Sequence, residues 1–120
     1  MYLYRYLPWD EHTILSTIKK EFNWELETDS VATWRTDDGT AALYNYIYLT
    51  MAGFTEFDVI RSYQVREGKL TREEAFELVK LENTPRFQSI EWYAQAVNVD
   101  ANTIIETINE APKLYKTTPT

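Results

Sequence analysis

The chain has 120 residues, 44% of them apolar and 26% charged, a composition that supports one folded domain and excludes both a disordered segment and a two-domain arrangement. Its formal net charge of −7 at pH 7 repels a phosphate backbone and so excludes nucleic acid as the expected partner. The absence of cysteine excludes a disulfide framework, a thiolate nucleophile and a Cys-based zinc site.

At the N-terminus, MYLYRYLPWDEHT lacks the basic start and apolar run of a signal peptide, and no later window approaches a membrane span, so a cytoplasmic protein without a membrane partner is expected. The one exception allowed to a helical reading is a short strand at Tyr2 to Tyr6. Leu7-Pro8-Trp9-Asp10 then reads as a helix entrance, with Asp10 capping free amides and Trp9 stapled to Ile14. A first helix follows from about Glu11 to Phe22, with Ile14, Leu15, Ile18 and Phe22 on one face and Lys19, Lys20 and Glu21 outward.

Residues 23–36 carry no helical stripe and read as a loop or a short extended segment. Ala41 to Met51 is apolar on every side, which predicts a central helix ended by Gly53. Thr55 opens a third helix that runs through Ile60 and Tyr63 to Gly68. Thr71 and Glu74 form a capping box for a fourth, whose face is Ala75, Leu78 and Val79. Asn83-Thr84-Pro85 interrupts it, and a fifth helix is expected from about Pro85 to Val97, with Phe87, Ile90, Tyr93, Ala94 and Val97 in register. Asp100 caps a sixth, Ala101 to Glu110, striped by Ala101, Ile104, Ile105 and Ile108. The expected fold is therefore all-α: a single domain over residues 1–115, built as a compact bundle of about six short helices, with a mobile tail at 116–120.

The chemistry in the sequence is sparse. Gly39, Gly53 and Gly68 are isolated, so no phosphate-binding loop exists, and the single histidine, His12, falls on the exposed side of the first helix as a solvated residue. Asp37 and Asp38 either favour the positive end of the second helix or bind magnesium with substrate phosphates. Arg35 either clamps an anion or pairs with Asp37, and Trp34 is either a core residue or a platform. Arg61, Arg66 and Arg72 surround the turn from Arg66 to Arg72; they are read either as surface ion pairs with Glu67, Glu73 and Glu74 or as recognition of an anion or partner. The aromatic content, 15% of the chain, implies a core of large side chains or an aromatic contact surface.

Four segments together are more specific than these fragments: Thr33-Trp34-Arg35-Thr36-Asp37, Tyr44 to Tyr48, Gly53-Phe54-Thr55-Glu56, and Arg66-Glu67-Gly68-Lys69-Leu70-Thr71-Arg72-Glu73-Glu74-Ala75. With Leu7-Pro8-Trp9-Asp10 and the helix after it, residues 5 to 80 resemble the C-terminal portion of the N-acetyl sugar amidotransferases, ATP-pyrophosphatase-type enzymes of bacterial lipopolysaccharide and surface-polysaccharide biosynthesis. The resemblance implies a parent reaction in which ATP adenylates the acetamido oxygen of a sugar and ammonia from a glutaminase displaces AMP, leaving an acetamidino group. It also implies that ATP and magnesium are bound mainly by an N-terminal nucleotide-binding half absent from this sequence, so that no cofactor is expected on this chain and it is not catalytically complete alone. By the same resemblance Trp34, Arg35, Asp37, Arg66, Glu67 and Arg72 are the substrate-contacting or interface residues, with no metal ligand assigned. Where the family carries cysteine after the aspartate, this chain has Asp38, and the cysteine's role is not carried over. The expected partners are proteins: the nucleotide-binding half, a glutaminase or another target. The alternative from a different class is a stand-alone acidic adaptor or inhibitor, of a kind a phage encodes, that binds its target through an aromatic-rich surface.

Overall fold

A computed structural model of the chain describes residues 2–25, 30, 31 and 39–115. Among them the structure is all-helical: α1 (Glu11–Phe22), α2 (Ala41–Ala52), α3 (Glu56–Arg66), α4 (Arg72–Glu82), α5 (Phe87–Ala96) and α6 (Ala101–Glu110), preceded by one 3₁₀ turn at Leu3–Arg5. The strand allowed at Tyr2 to Tyr6 is therefore corrected to a turn. No strand is present among the described residues to pair with it, and the backbone satisfies itself locally through Tyr6 N–H to Leu3 O at 2.9 Å and Leu7 N–H to Leu3 O at 3.1 Å.

Local chemistry accounts for the helix boundaries. Asp10 accepts from Thr13 N–H and Asp100 from Thr103 N–H, so α1 and α6 start where a short acceptor side chain covers free amides. Thr71 and Glu74 close a reciprocal capping box on α4, and Thr55 closes a second on α3 with Asp58. Gly53 ends α2. Asn23 and Asn98 end α1 and α5 in the left-handed region, at φ 50° and 57°, which asparagine tolerates better than most residues. Helix α5 begins at Phe87 rather than at Pro85. Ile90 N–H makes the first helical bond, to Arg86 O at 3.1 Å, and the non-helical backbone of Arg86, at φ −98° and ψ 74°, leaves the proline outside.

Two packing groups result. Helices α3 and α4 form an antiparallel hairpin in which the start of α3 meets the end of α4. Thr55 Oγ1 donates to Asn83 Oδ1 at 2.5 Å, and Asn83 Nδ2 donates to Asp58 Oδ2 at 2.9 Å. Helices α2, α5 and α6 pack mutually around Ala41, Ala42, Ile90, Ala94 and Ile108, all buried. Tyr46 of α2 reaches both neighbours, donating to Asn109 Oδ1 at 2.9 Å and meeting the Phe87 ring edge-on at 5.8 Å. The expected envelopment of α2 is only partial. Ala41, Ala42 and Asn45 are buried, but Tyr44 and Tyr48 stand half-exposed with their rings 4.6 Å apart. After α6 the chain returns to α2, with Leu114 N–H on Met51 O at 2.8 Å and Tyr115 Oη donating to Thr50 O at 3.2 Å. The expected mobile tail, 116–120, lies outside the described residues. No helix among the described residues is long and apolar enough to cross a membrane.

Candidate functional site

The corner between α3 and α4 holds three of the six residues singled out from sequence. Arg66 is the last residue of α3, Glu67 its C-cap and Arg72 the first residue of α4. The chain turns between them by a Schellman closure: Lys69 N–H donates to Gln64 O at 2.9 Å and Gly68 N–H to Val65 O at 3.0 Å. Gly68 is at φ 69°, and nothing lies within 4 Å of where its Cβ would stand, so glycine is required there by backbone conformation and not by crowding. Thr71 then starts α4. Its N–H donates to Glu74 Oε2 at 2.8 Å, its hydroxyl donates to the same oxygen at 2.9 Å, and Glu74 N–H returns to Thr71 Oγ1 at 3.2 Å. These bonds, the backbone N–H of Thr71 first, hold the Glu74 carboxyl below the usual carboxylate range. These two anchors define the backbone of the turn that carries its side chains.

Those side chains are charged and near the surface. The Arg66 guanidinium lies 4.5 Å from the centre of the Tyr63 ring, one helical turn back. Lys69 Nζ sits 2.8 Å from Glu67 Oε2 and donates to Trp9 O at 2.6 Å, joining the corner to the entrance of α1. Arg72 is exposed, at the positive end of α4, where Glu73 and Glu74 in the same turn offset its charge. Trp34, Arg35 and Asp37 lie outside the described residues, as does Asp38, so neither the alternatives for the acidic pair nor a meeting of the two segments has a place in this geometry. His12 is exposed, and among the described residues no group of three or more His, Asp or Glu side chains is placed to hold a metal ion.

Arg61 departs from its sequence reading. Grouped with Arg66 and Arg72 as a surface cation facing Glu67, Glu73 and Glu74, it is instead only 5% exposed and turned into the hairpin. Its Nε donates to Glu82 Oε2 at 3.0 Å and its Nη2 to Glu82 Oε1, a two-point fork on α4. The other edge of the guanidinium reaches α1, with Nη1 on Glu11 Oε2 at 2.5 Å and Nη2 on Glu11 Oε1 at 3.2 Å. Gln64 completes the cluster, accepting from Arg61 Nη1 at 2.8 Å and donating to Glu11 Oε2 at 2.9 Å. The bonds to Glu82, and after them those to Glu11, push the guanidinium above its ordinary value although burial works the other way. A spacing signal for this was present in the sequence. Arg61 shares the inward stripe of α3 with Phe57, Ile60 and Gln64, and Glu82 continues the stripe of Ala75, Leu78 and Val79 on α4.

Beside the cluster lies a cavity of about 400 Å³ between α1 and α3, lined by Trp9, Ile14, Leu15 and Ile18 on one side and Ile60 and Tyr63 on the other, with Glu11, Gln64, Glu67 and Lys69 at its polar edge. Its size and apolar walls fall in the range of small-molecule sites. A separate buried polar group, Asn45 of α2, has neither amide atom hydrogen-bonded. No family model matches the chain, and neither a curated protein nor a solved structure matches it.

Proposed function

We propose that this chain is the helical C-terminal part of an ATP-dependent N-acetyl sugar amidotransferase of surface-polysaccharide biosynthesis, working with a nucleotide-binding half carried elsewhere. The observation that supports this reading is the α3–α4 corner, where a Schellman closure and a capping box hold Arg66, Glu67 and Arg72 together on a surface turn. A rigid turn that displays charged groups suits docking against a second body or against a phosphate-bearing substrate. In the proposed reaction ATP transfers AMP to the acetamido oxygen with release of pyrophosphate, and ammonia adds at the acetamido carbon as AMP departs. This chain contributes positioning through Arg66, Glu67 and Arg72, and through Trp34, Arg35 and Asp37. The nucleotide-binding half contributes the phosphate loop and the magnesium.

The test is reconstitution. Purified chain mixed with a nucleotide-binding half from such an enzyme, an N-acetyl sugar nucleotide and ammonia is expected to release pyrophosphate in proportion to sugar consumed. Arg72→Ala is expected to reduce that release at least tenfold without loss of helical circular dichroism. No pyrophosphate release and no binding between the halves would overturn the proposal.

One observation favours a second reading, the stand-alone acidic adaptor or inhibitor: Phe76, Phe87 and Trp92 are all more than half exposed on a chain of net charge −7. A defined one-to-one complex with a basic protein that has no part in sugar metabolism, lost on Trp92→Ala, would replace the amidotransferase proposal with this one.

A further inference from the structure

Helix α1 is attached differently from the rest. None of its twelve residues is buried, while every other α-helix buries at least one. Its apolar stripe of Ile14, Leu15 and Ile18 faces a cavity of about 400 Å³, not a packed wall. The polar bonds that hold it are concentrated at one end: Glu11 on Arg61 and Gln64, and Trp9 O on Lys69. Among the described residues, no side-chain hydrogen bond or ion pair ties residues 12–22 to another helix.

The Arg61 cluster is built so that this end can be released. Glu82, on the hairpin itself, holds Arg61 through Nε and Nη2, and neither of these two bonds involves α1. If α1 leaves, Arg61 and Glu82 remain a neutral, two-point pair, with the guanidinium edge that faced Glu11 open to water. Glu11, whose side chain is already 21% exposed, returns to water. No buried charge is stranded, which is the condition that normally makes breaking an internal ion pair prohibitive. The cavity leaves few packed atoms to separate, so dispersion adds little resistance.

We infer that α1 is a strap over an apolar cavity, latched at its first turn by Glu11 on Arg61, and that it undocks from an α3–α4 hairpin that stays folded. Undocking uncovers Ile60 of α3, which is half-buried, together with the half-buried Ile14, Leu15 and Ile18 of α1. The device is independent of the proposed sugar chemistry.

Hydrogen exchange on the intact chain tests it. In the unmodified protein, amides of residues 15–22 are expected to exchange at least tenfold faster than the slowest amides of α3 and α4, through an opening insensitive to low concentrations of denaturant. Glu11→Gln is expected to speed exchange of residues 15–22 by about a further tenfold while the slowest α3 and α4 amides change less than threefold. Equal protection of α1 and the hairpin in the unmodified protein, a measurement that needs no variant, would overturn the inference. So would a Glu11→Gln chain in which all helices accelerate alike, or one in which α1 is unchanged.

Discussion

Between α3 and α4 the buried side chains include Arg61, Glu82 and Thr55 beside Phe57 and Ala75, whereas among α2, α5 and α6 they are chiefly Ala41, Ala42, Ile90, Ala94 and Ile108. The hairpin joins its helices by a charged fork from Arg61, in the middle of α3, to Glu82, the last residue of α4, and by a Thr55–Asp58–Asn83 network next to it. The three-helix group uses small residues that let the backbones approach, with isoleucines filling the space between. The two arrangements fail differently. A partnered buried charge contributes little net stability when present, yet its removal from one side leaves the other charge in a poor solvent. An apolar contact loses transfer and packing energy in proportion to the volume deleted.

The largest expected effect follows from that asymmetry. Arg61→Leu leaves Glu82 and Glu11 facing each other across an apolar side chain and is expected to destabilise the protein by about 3–5 kcal/mol. Denaturant unfolding checks it, and the double variant Arg61→Leu with Glu82→Leu is expected to recover most of the loss. A double variant no better than the single would show that the fork holds the hairpin by its bonds and not merely by charge balance. Next comes Ile90→Ala in the other group. Ile90 is 0% exposed, and the substitution is expected to cost about 3 kcal/mol as a cavity forms between α5 and its neighbours. Loss there with the α3–α4 amides still protected would separate the two groups as folding units.

Asn45 is a polar exception within the apolar group, and a sharper probe of the comparison. Its amide is buried without a hydrogen-bond partner, a condition that disfavours the folded state. Asn45→Leu, close in size, is expected to be neutral or stabilising by up to about 1 kcal/mol in the same unfolding experiment. A loss beyond that would mean that an internal water bonds the amide, and the α2 side would then share the hairpin's reliance on polar pairing.

What was legible in the sequence divides along a related line. The bounds of α1 and α6, the capping box of Thr71 with Glu74, and the stop at Gly53 were readable because each rests on bonds spanning a few residues. The left-handed ends at Asn23 and Asn98 were not read, since asparagine carries that conformation far less often than glycine and nothing else marks the spot. The late start of α5 depends on the backbone of Arg86, whose side chain is buried, which proline at 85 cannot foretell. The corner of Arg66, Glu67 and Arg72 was legible as a local turn. The Arg61 cluster was not, because its partners lie 21 and 50 residues away and only the stripe positions of Arg61 and Glu82 hinted at it. Charge alone had suggested the surface.

Acid is expected to act most weakly, and on both regions at once. Asp10 is held below the ordinary carboxylate value by its bonds with Thr13, Glu74 by those with Thr71, and Asp100 by those with Thr103. A carboxyl that binds its proton less readily when folded stabilises the folded state at pH above its ordinary value of about 4, and that contribution is lost as the pH falls through the lowered value. All three caps are fully solvent-accessible, so each contribution is small and screened by salt. The expected result is a modest fall in the thermal midpoint as the pH drops below about 4, followed by circular dichroism. The α6 share of that fall is expected to disappear in Asp100→Asn, which keeps the capping oxygen without the charge. A midpoint that instead rises on acidification would mean that relief of the −7 net charge outweighs the caps. In that case the acidity of the chain, not the chemistry of either packing group, sets its stability against pH.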